Sequence, residues 1–122
     1  MGAIEAVNIQ EKLARLNTFW DPKVIGEING QEVKVVRLKG EFVWHDHKDS
    51  DELFLVVKGQ LVIHFRDKDV HAKEGELVIV PKGVEHKPEA LEEVHIVLID
   101  SKGTVNTGSV KTARTVEAPE KI

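Results

Sequence analysis

The side chains best suited to chemistry near neutral pH are six histidines, because the chain carries no cysteine and no tyrosine. Two of them form His45-Asp46-His47. In a strand, residues i and i+2 share a face, so both imidazoles can reach one metal while Asp46 points away. Glu52 follows a short polar connection, Lys48-Asp49-Ser50-Asp51, and opens the apolar run Leu53 to Val57. His86 follows Pro81-Lys82-Gly83, which places Pro and Gly where a type I turn prefers them. A ligand from a distant strand is how a barrel interior builds a site. Three neutral imidazoles and one carboxylate suit a single divalent transition metal (Zn, Fe, Ni, Mn, Cu or Co) better than calcium or magnesium. In a six-coordinate ion two positions stay open for water or substrate, which separates a catalytic site from a closed structural one. Glu52 is then also a candidate proton acceptor, if its metal bond is labile. Taken alone, His45-Asp46-His47 is a weak motif and reads more readily as two surface histidines in an acidic loop.

The elements that must hold these residues are mostly strands. Residues 8–17 read as a short helix, with Ile9, Leu13 and Leu16 on one face and Asn8 as N-cap before Glu11. A frayed terminal segment is the competing reading, since short helices need packing, which Phe19 and Trp20 could provide. From Val24 the period changes. The run to Ile28 meets Asn29-Gly30, the strongest short hairpin signal, and continues from Gln31 to Lys39. Further strand-like runs cover 41–45, 52–58, 60–66, 76–80 and 93–99. Turn signals stand between them at Lys58-Gly59, Asp67-Lys68-Asp69, Glu74-Gly75 and Pro81-Lys82-Gly83. Many short strands without intervening helices predict an all-β sandwich or barrel of the jelly-roll kind. Residues 1–22 read as a helical segment packing on the barrel, 23–101 as the barrel, and 102–122 as a tail. That tail adds an edge strand near Ala113 to Val116, covers another subunit, or stays mobile.

The glycines and proline around the four candidate ligands carry a resemblance. His45, His47, Glu52 and Gly59 match the first motif of the cupin superfamily, with four residues between His47 and Glu52 and six between Glu52 and Gly59. Gly75, Pro81, Gly83 and His86 match its second motif. Fifteen residues separate Gly59 from Gly75, as in small microbial cupins. Two positions depart from the pattern: Gly40 stands one residue too close to His45, and Ala90 takes the place of a common Asn. Neither is a metal ligand in the family. The resemblance, to small single-domain cupins of the mannose-6-phosphate isomerase-like kind, implies a double-stranded β-helix barrel, a metal reached from one mouth, and a homodimer. It does not imply one reaction. Sugar-phosphate isomerase-like and dioxygenase-like activities both follow from the family, as does a non-catalytic role in binding or sensing a small-molecule ligand. True phosphomannose isomerases are longer chains with extra helical regions, which weakens the isomerase reading.

Other residues have two readings each. His64 and Arg66 either line the barrel and meet an anionic substrate or form an outer-face pair. His95 lines the mouth or is a hydrogen-bonded core histidine. His71 follows a charged turn and reads as solvated. Trp44 faces away from the metal, as wall packing or a subunit contact. Asp49, Asp51, Glu92 and Glu93 read as loop charges, and Arg37 and Lys87 as candidate phosphate or carboxylate contacts. A net charge of -4 disfavours nucleic acid as a partner. The sequence shows no membrane span, signal peptide, or myristoylation motif at Gly2, and the absence of cysteine fits a cytoplasmic protein.

Overall fold

The computed structural model describes residues 4–122. The reading of the extreme N-terminus as free of a leader or lipidation signal falls partly outside them. The described residues form one short helix, α1 (Ile9–Ala14), and seven strands: β1 (Lys23–Ile28), β2 (Gln31–Glu41), β3 (Glu52–Lys58), β4 (Gln60–Phe65), β5 (Asp69–Lys73), β6 (Leu77–Val80) and β7 (His86–Ser101). All pairings between these strands are antiparallel. The sheet runs β1-β2-β7-β3-β6, and β4 pairs with both β5 and the start of β7. The fold is the all-β, jelly-roll-type barrel that the strand pattern predicts.

β7 ties the barrel together. Its first residues pair with β4, from Phe65 opposite His86 to Val62 opposite Glu89. Beyond Leu91 and Glu92 it pairs with β2 on one side and β3 on the other. Even-numbered residues face inward along both halves: His86, Pro88 and Ala90, then Val94, Ile96, Leu98 and Asp100. β7 is longer than the expected run over 93–99, because Pro88 and Glu92-Glu93 look like breaks in sequence. Pro88 lacks only a donor, and its carbonyl still accepts from the Phe42 N–H at 2.9 Å.

The inner core joins Trp20, Val36, Leu38, Phe42, Phe54, Val56, Leu61, Ile63 and the inward residues of β7. The outer face of β2 and β7 carries a second apolar cluster, where Val35 and Val97 meet Leu13 and Leu16. Thus β2 and β7 are apolar on both faces, and the N-terminal segment covers the outer one. α1 is shorter than predicted. Asn8 caps it by accepting from the Glu11 N–H at 2.9 Å. Leu13 and Leu16 are buried as expected, but Ile9 is exposed because the single covering turn begins after it.

Three expectations need correction. The run over 41–45 is no strand: β2 ends at Glu41, Phe42 turns into the core, and His45 makes only an isolated bridge. β5 is a strand where the sequence predicts none, directly after the Asp67-Lys68-Asp69 turn, since only Val70 and Ala72 break its polar character. Ala113 to Val116 forms no edge strand. The tail instead runs back across the barrel in turns, and Lys121 bridges to Val24. The Asn29-Gly30 hairpin forms as predicted, with φ of 52° and 77°.

Candidate metal centre

Each candidate ligand lies at the end of an element or in the bridge between two. Glu52 opens β3 and His86 opens β7. His45 and His86 face each other across the isolated bridge, with His45 N–H to His86 carbonyl 3.0 Å and the reverse bond 2.9 Å. Two residues on, the His47 carbonyl accepts from the Gly83 N–H at 2.8 Å. The Pro81-Lys82-Gly83 turn is pinned again where the Lys82 N–H donates to the Asp51 carboxylate. Gly59 serves the same frame from farther off. It has φ of 89°, and a Cβ there would lie 2.8 Å from the Glu93 carbonyl oxygen, so only glycine fits where β3 turns into β4 against β7.

These constraints bring His45, His47, Glu52 and His86 together, all buried, with one donor atom of each within 4.8 Å of the others. The Nδ1–H of His45 donates to the Val43 carbonyl at 2.8 Å, and that of His86 to the Val84 carbonyl at 2.9 Å. Such bonds fix the ring orientation and turn Nε2 inward. His86 Nε2 lies 3.1 Å from one Glu52 oxygen, and His47 Nε2 lies 3.4 Å from the other. With Nδ1–H committed, a neutral His86 points a lone pair at a carboxylate. That contact is repulsive unless a cation, a proton or a metal, lies between them. The His47 Nε2 is buried without a hydrogen-bond partner. The donor set therefore fits a metal, by its chemistry and by its unsatisfied atoms.

The electrostatics agree. Burial, reinforced by the neighbouring His86, lowers the His45 pKa to about 4, so its imidazole is neutral and able to ligate. Burial also works against a charged His47, but the Glu52 carboxylate outweighs it and leaves the pKa raised. Burial opposes ionisation of Glu52, yet its contacts with His47 and His86 hold it ionised, well below the usual carboxylate range. A cation entering the site would take the place of a proton on His47 as the counter-charge to Glu52.

His45 and Glu52 also line a slot together with Trp20, Leu38, Phe42 and Phe54. It holds about 370 Å³ of free space counting its open mouth. Trp20 stacks on Phe42 at 4.7 Å and is held in a positive-φ conformation by bonds to the Arg37 and Lys39 carbonyls. Asn106, from the tail, reaches the slot as well. Both ends of its amide are used within the tail, to the Arg114 carbonyl and the Val116 N–H.

The other singled-out residues lie elsewhere. His64 faces outward between Asp69 and Glu89, 2.7 Å from each. Arg66 pairs with Glu85 and covers the Trp44 ring at 3.7 Å. His95 is half-buried on the outer face and bonds Glu93, which also grips Arg37. Lys87 pairs with Glu41, and His71 is exposed on β5. Sequence reasoning missed a buried charge cluster beside the site. Lys34 and Asp100 meet at 2.6 Å, with Glu32 3.8 Å from the same ammonium. One signal existed: Glu32 and Lys34 share the inward face of β2 with Val36 and Leu38.

Comparison with known proteins agrees with this geometry. Residues 32–101 match the family model of the cupin domain. The chain belongs to the cupin superfamily. A cupin-2 domain containing protein from Shewanella frigidimarina has a similar crystal structure, with a TM-score of 0.77 and 46% identity over 79% of this chain and 94% of that one. Protein NMB1881 from Neisseria meningitidis has a TM-score of 0.74 and 32% identity over 80% of this chain and all of that one. In sequence, the chain is 42% identical to the uncharacterized protein YdbB of Bacillus subtilis over 64 residues, 52% of this chain and 57% of that protein. It is 26% identical over 91 residues to a 3-hydroxyanthranilate 3,4-dioxygenase of Xenopus laevis, 69% of this chain but 32% of that enzyme. The chain thus spans from about a third to three fifths of the curated relatives it matches.

Proposed function

We propose that the protein is a small metalloenzyme in which His45, His47, Glu52 and His86 hold one divalent transition metal that acts on a small oxygen-bearing substrate. The observation that carries this reading is that His45 and Glu52 belong to the four-residue cluster and also line the slot. A metal held there would polarise an oxygen of the bound molecule or, if redox-active, engage dioxygen. The protein's own part is to hold the ligands by the Val43 and Val84 carbonyls, keep His45 neutral, and exclude bulk water with an apolar wall. Glu52 lines the same cavity and becomes a proton acceptor for a substrate group there if its metal bond is labile.

Between the two activities, the dioxygenase-like one has better support than the sugar-phosphate isomerase-like one. Arg37, Arg66 and Lys87 are each paired with a carboxylate outside the slot, so none is placed to hold a phosphate there. The relation to 3-hydroxyanthranilate 3,4-dioxygenases points the same way. The test is turnover of candidate substrates before and after metal removal, with metal loss measured. Activity that survives full removal overturns the proposal, and saturable binding without turnover supports a binding cupin instead.

We further propose a cytoplasmic homodimer. Leu77 and Ile79 on β6 are exposed and pair with Leu55 and Leu53 of β3, which makes an apolar strip at the edge of the sheet. Sedimentation should give a dimer that Ile79→Lys splits; a monomeric wild type would contradict it.

A further inference from the structure

One residue of the slot wall, Asn106, comes from the tail beyond β7. Both ends of that tail are tied down. The Lys102 N–H donates to the Gly30 carbonyl at 3.0 Å, and the Thr104 N–H to the Ser101 carbonyl at 3.1 Å. At the other end, Val24 exchanges backbone bonds with Glu120 and Ile122 at 2.8 and 2.9 Å. Between these anchors the chain bonds to itself. The Asn106 amide ties Arg114 to Val116, Thr107 meets Thr115 at 2.8 Å, and Lys111 pairs with Glu117 at 2.9 Å. These bonds close the segment into a compact loop whose ends lie together.

Its hold on the barrel is thinner. Among the described residues, none from 104 to 119 belongs to either apolar cluster, and only Thr107 of that stretch is wholly buried. Gly108 rests against the Asp46 carbonyl, a contact of shape rather than a bond. Among the described residues, the one hydrogen bond that leaves residues 105–117 for the barrel runs from the Arg114 guanidinium to the Glu41 carbonyl. The same guanidinium lies over the Trp20 ring, 5.4 Å from its centroid, and Trp20 lines the slot. A single side chain thus fastens the loop to the slot wall.

We propose that residues 105–117 form a lid on the slot with Arg114 as its latch. The lid moves as a unit because its bonds are internal, and release of Arg114 from Trp20 and Glu41 opens the slot. Gly103, with φ of 90° and open space where a Cβ would stand, flanks the unit on the β7 side. The proposal concerns passage into the slot and does not rest on the metal or on the molecule received.

The chain has no cysteine, so one introduced thiol can report on access. Val36→Cys places it on the slot wall at a residue 3% exposed, and Val94→Cys places it in the same core but not on the slot. Labelling of each by iodoacetamide is followed by mass spectrometry, with Arg114 kept and with Arg114→Ala. A latch of one charge-assisted hydrogen bond and one cation–π contact is worth at least about tenfold in the opening equilibrium. Arg114→Ala is therefore expected to speed labelling at position 36 by that factor and to leave position 94 unchanged. With Arg114 kept, position 36 should still label faster than position 94, since lid opening is local and exposure of 94 needs wider unfolding. An unchanged rate at position 36 in Arg114→Ala, or equal acceleration at both positions, would overturn the proposal. Equal rates at 36 and 94 with Arg114 kept would overturn it too, and that comparison stands even if Arg114→Ala does not fold.

Discussion

Replacing Lys34 with Met gives a sharp test of how the barrel tolerates charge next to its proposed metal. Lys34 and Asp100 are almost wholly buried, at 2% and 1% exposure, and meet at 2.6 Å. Asp100 follows Ile99, which pairs with Leu53, so it lies across from Glu52 on the same inward face. Burial is the main cause of its raised pKa, about 6 against an ordinary 3.8; Lys34 opposes the shift and the Glu52 charge adds to it. That shift corresponds to roughly 3 kcal/mol against the ionised form, even with Lys34 present. Removing Lys34 leaves a buried carboxylate without its counter-charge, which costs about 3–5 kcal/mol. With a urea dependence of about 1–3 kcal/mol/M, the unfolding midpoint should fall by roughly 2 M. The pH dependence has a definite sign. The folded pKa of Asp100 lies above its unfolded value, so the folded state takes up a proton as pH falls through about 6. The group therefore adds stability on acidification and opposes folding above that range. Lys34→Met raises this pKa further, so its penalty should be large at pH 7.5 and shrink towards pH 5. Lys34→Met with Asp100→Leu should recover most of the loss, because both charges are then gone. The assay is urea denaturation of metal-free protein at both pH values. A Lys34→Met variant within about 1 kcal/mol of wild type at pH 7.5, or a penalty that does not change with pH, would refute the reasoning.

Two further outcomes follow from local geometry. His64 is bonded to Glu89 and Asp69, which raise its pKa above 6.5, so its contribution to stability is fully present below 6.5 and is lost as pH rises through the folded value. NMR titration should place it above 6.5, and Glu89→Gln should bring it down; a wild-type value at or below 6.5 would contradict the pairing. Gly108 has φ of 63°, and a Cβ there would overlap the Asp46 carbonyl oxygen, so the tail docks against the residue between His45 and His47. Gly108→Ala should cost about 1–3 kcal/mol, accelerate amide exchange over residues 104–116 and weaken metal binding. Unchanged exchange would show that the docking does not matter.

The barrel and the convergence of four candidate ligands were legible because both rest on short-range signals. Asn29-Gly30 sets a hairpin, and the spacing from His45 to Glu52 and from Gly75 to His86 repeats a pattern tied to one fold. Less local features were not legible. The length of β7 depends on β4, β2 and β3 all pairing with one strand, which no window of sequence contains. β5 has only two apolar residues, and its strand state comes from pairing with β4. The inward placement of Lys34 follows from strand phase, but a lysine on that face conflicts with the usual preference for apolar residues, and Asp100 resolves the conflict from 66 residues away. The slot is assembled from Trp20, the barrel wall and Asn106 of the tail, so it exists only once the chain has folded.

The central claim is that His45, His47, Glu52 and His86 together hold one metal ion. Elemental analysis of protein purified without added metal tests it most directly, with His86→Ala purified alongside and circular dichroism confirming its fold. The account predicts about one divalent transition metal per wild-type chain and its loss from the variant. A folded wild-type protein that carries no transition metal, and takes up none when dialysed against zinc, iron, nickel, manganese, copper or cobalt, would contradict it.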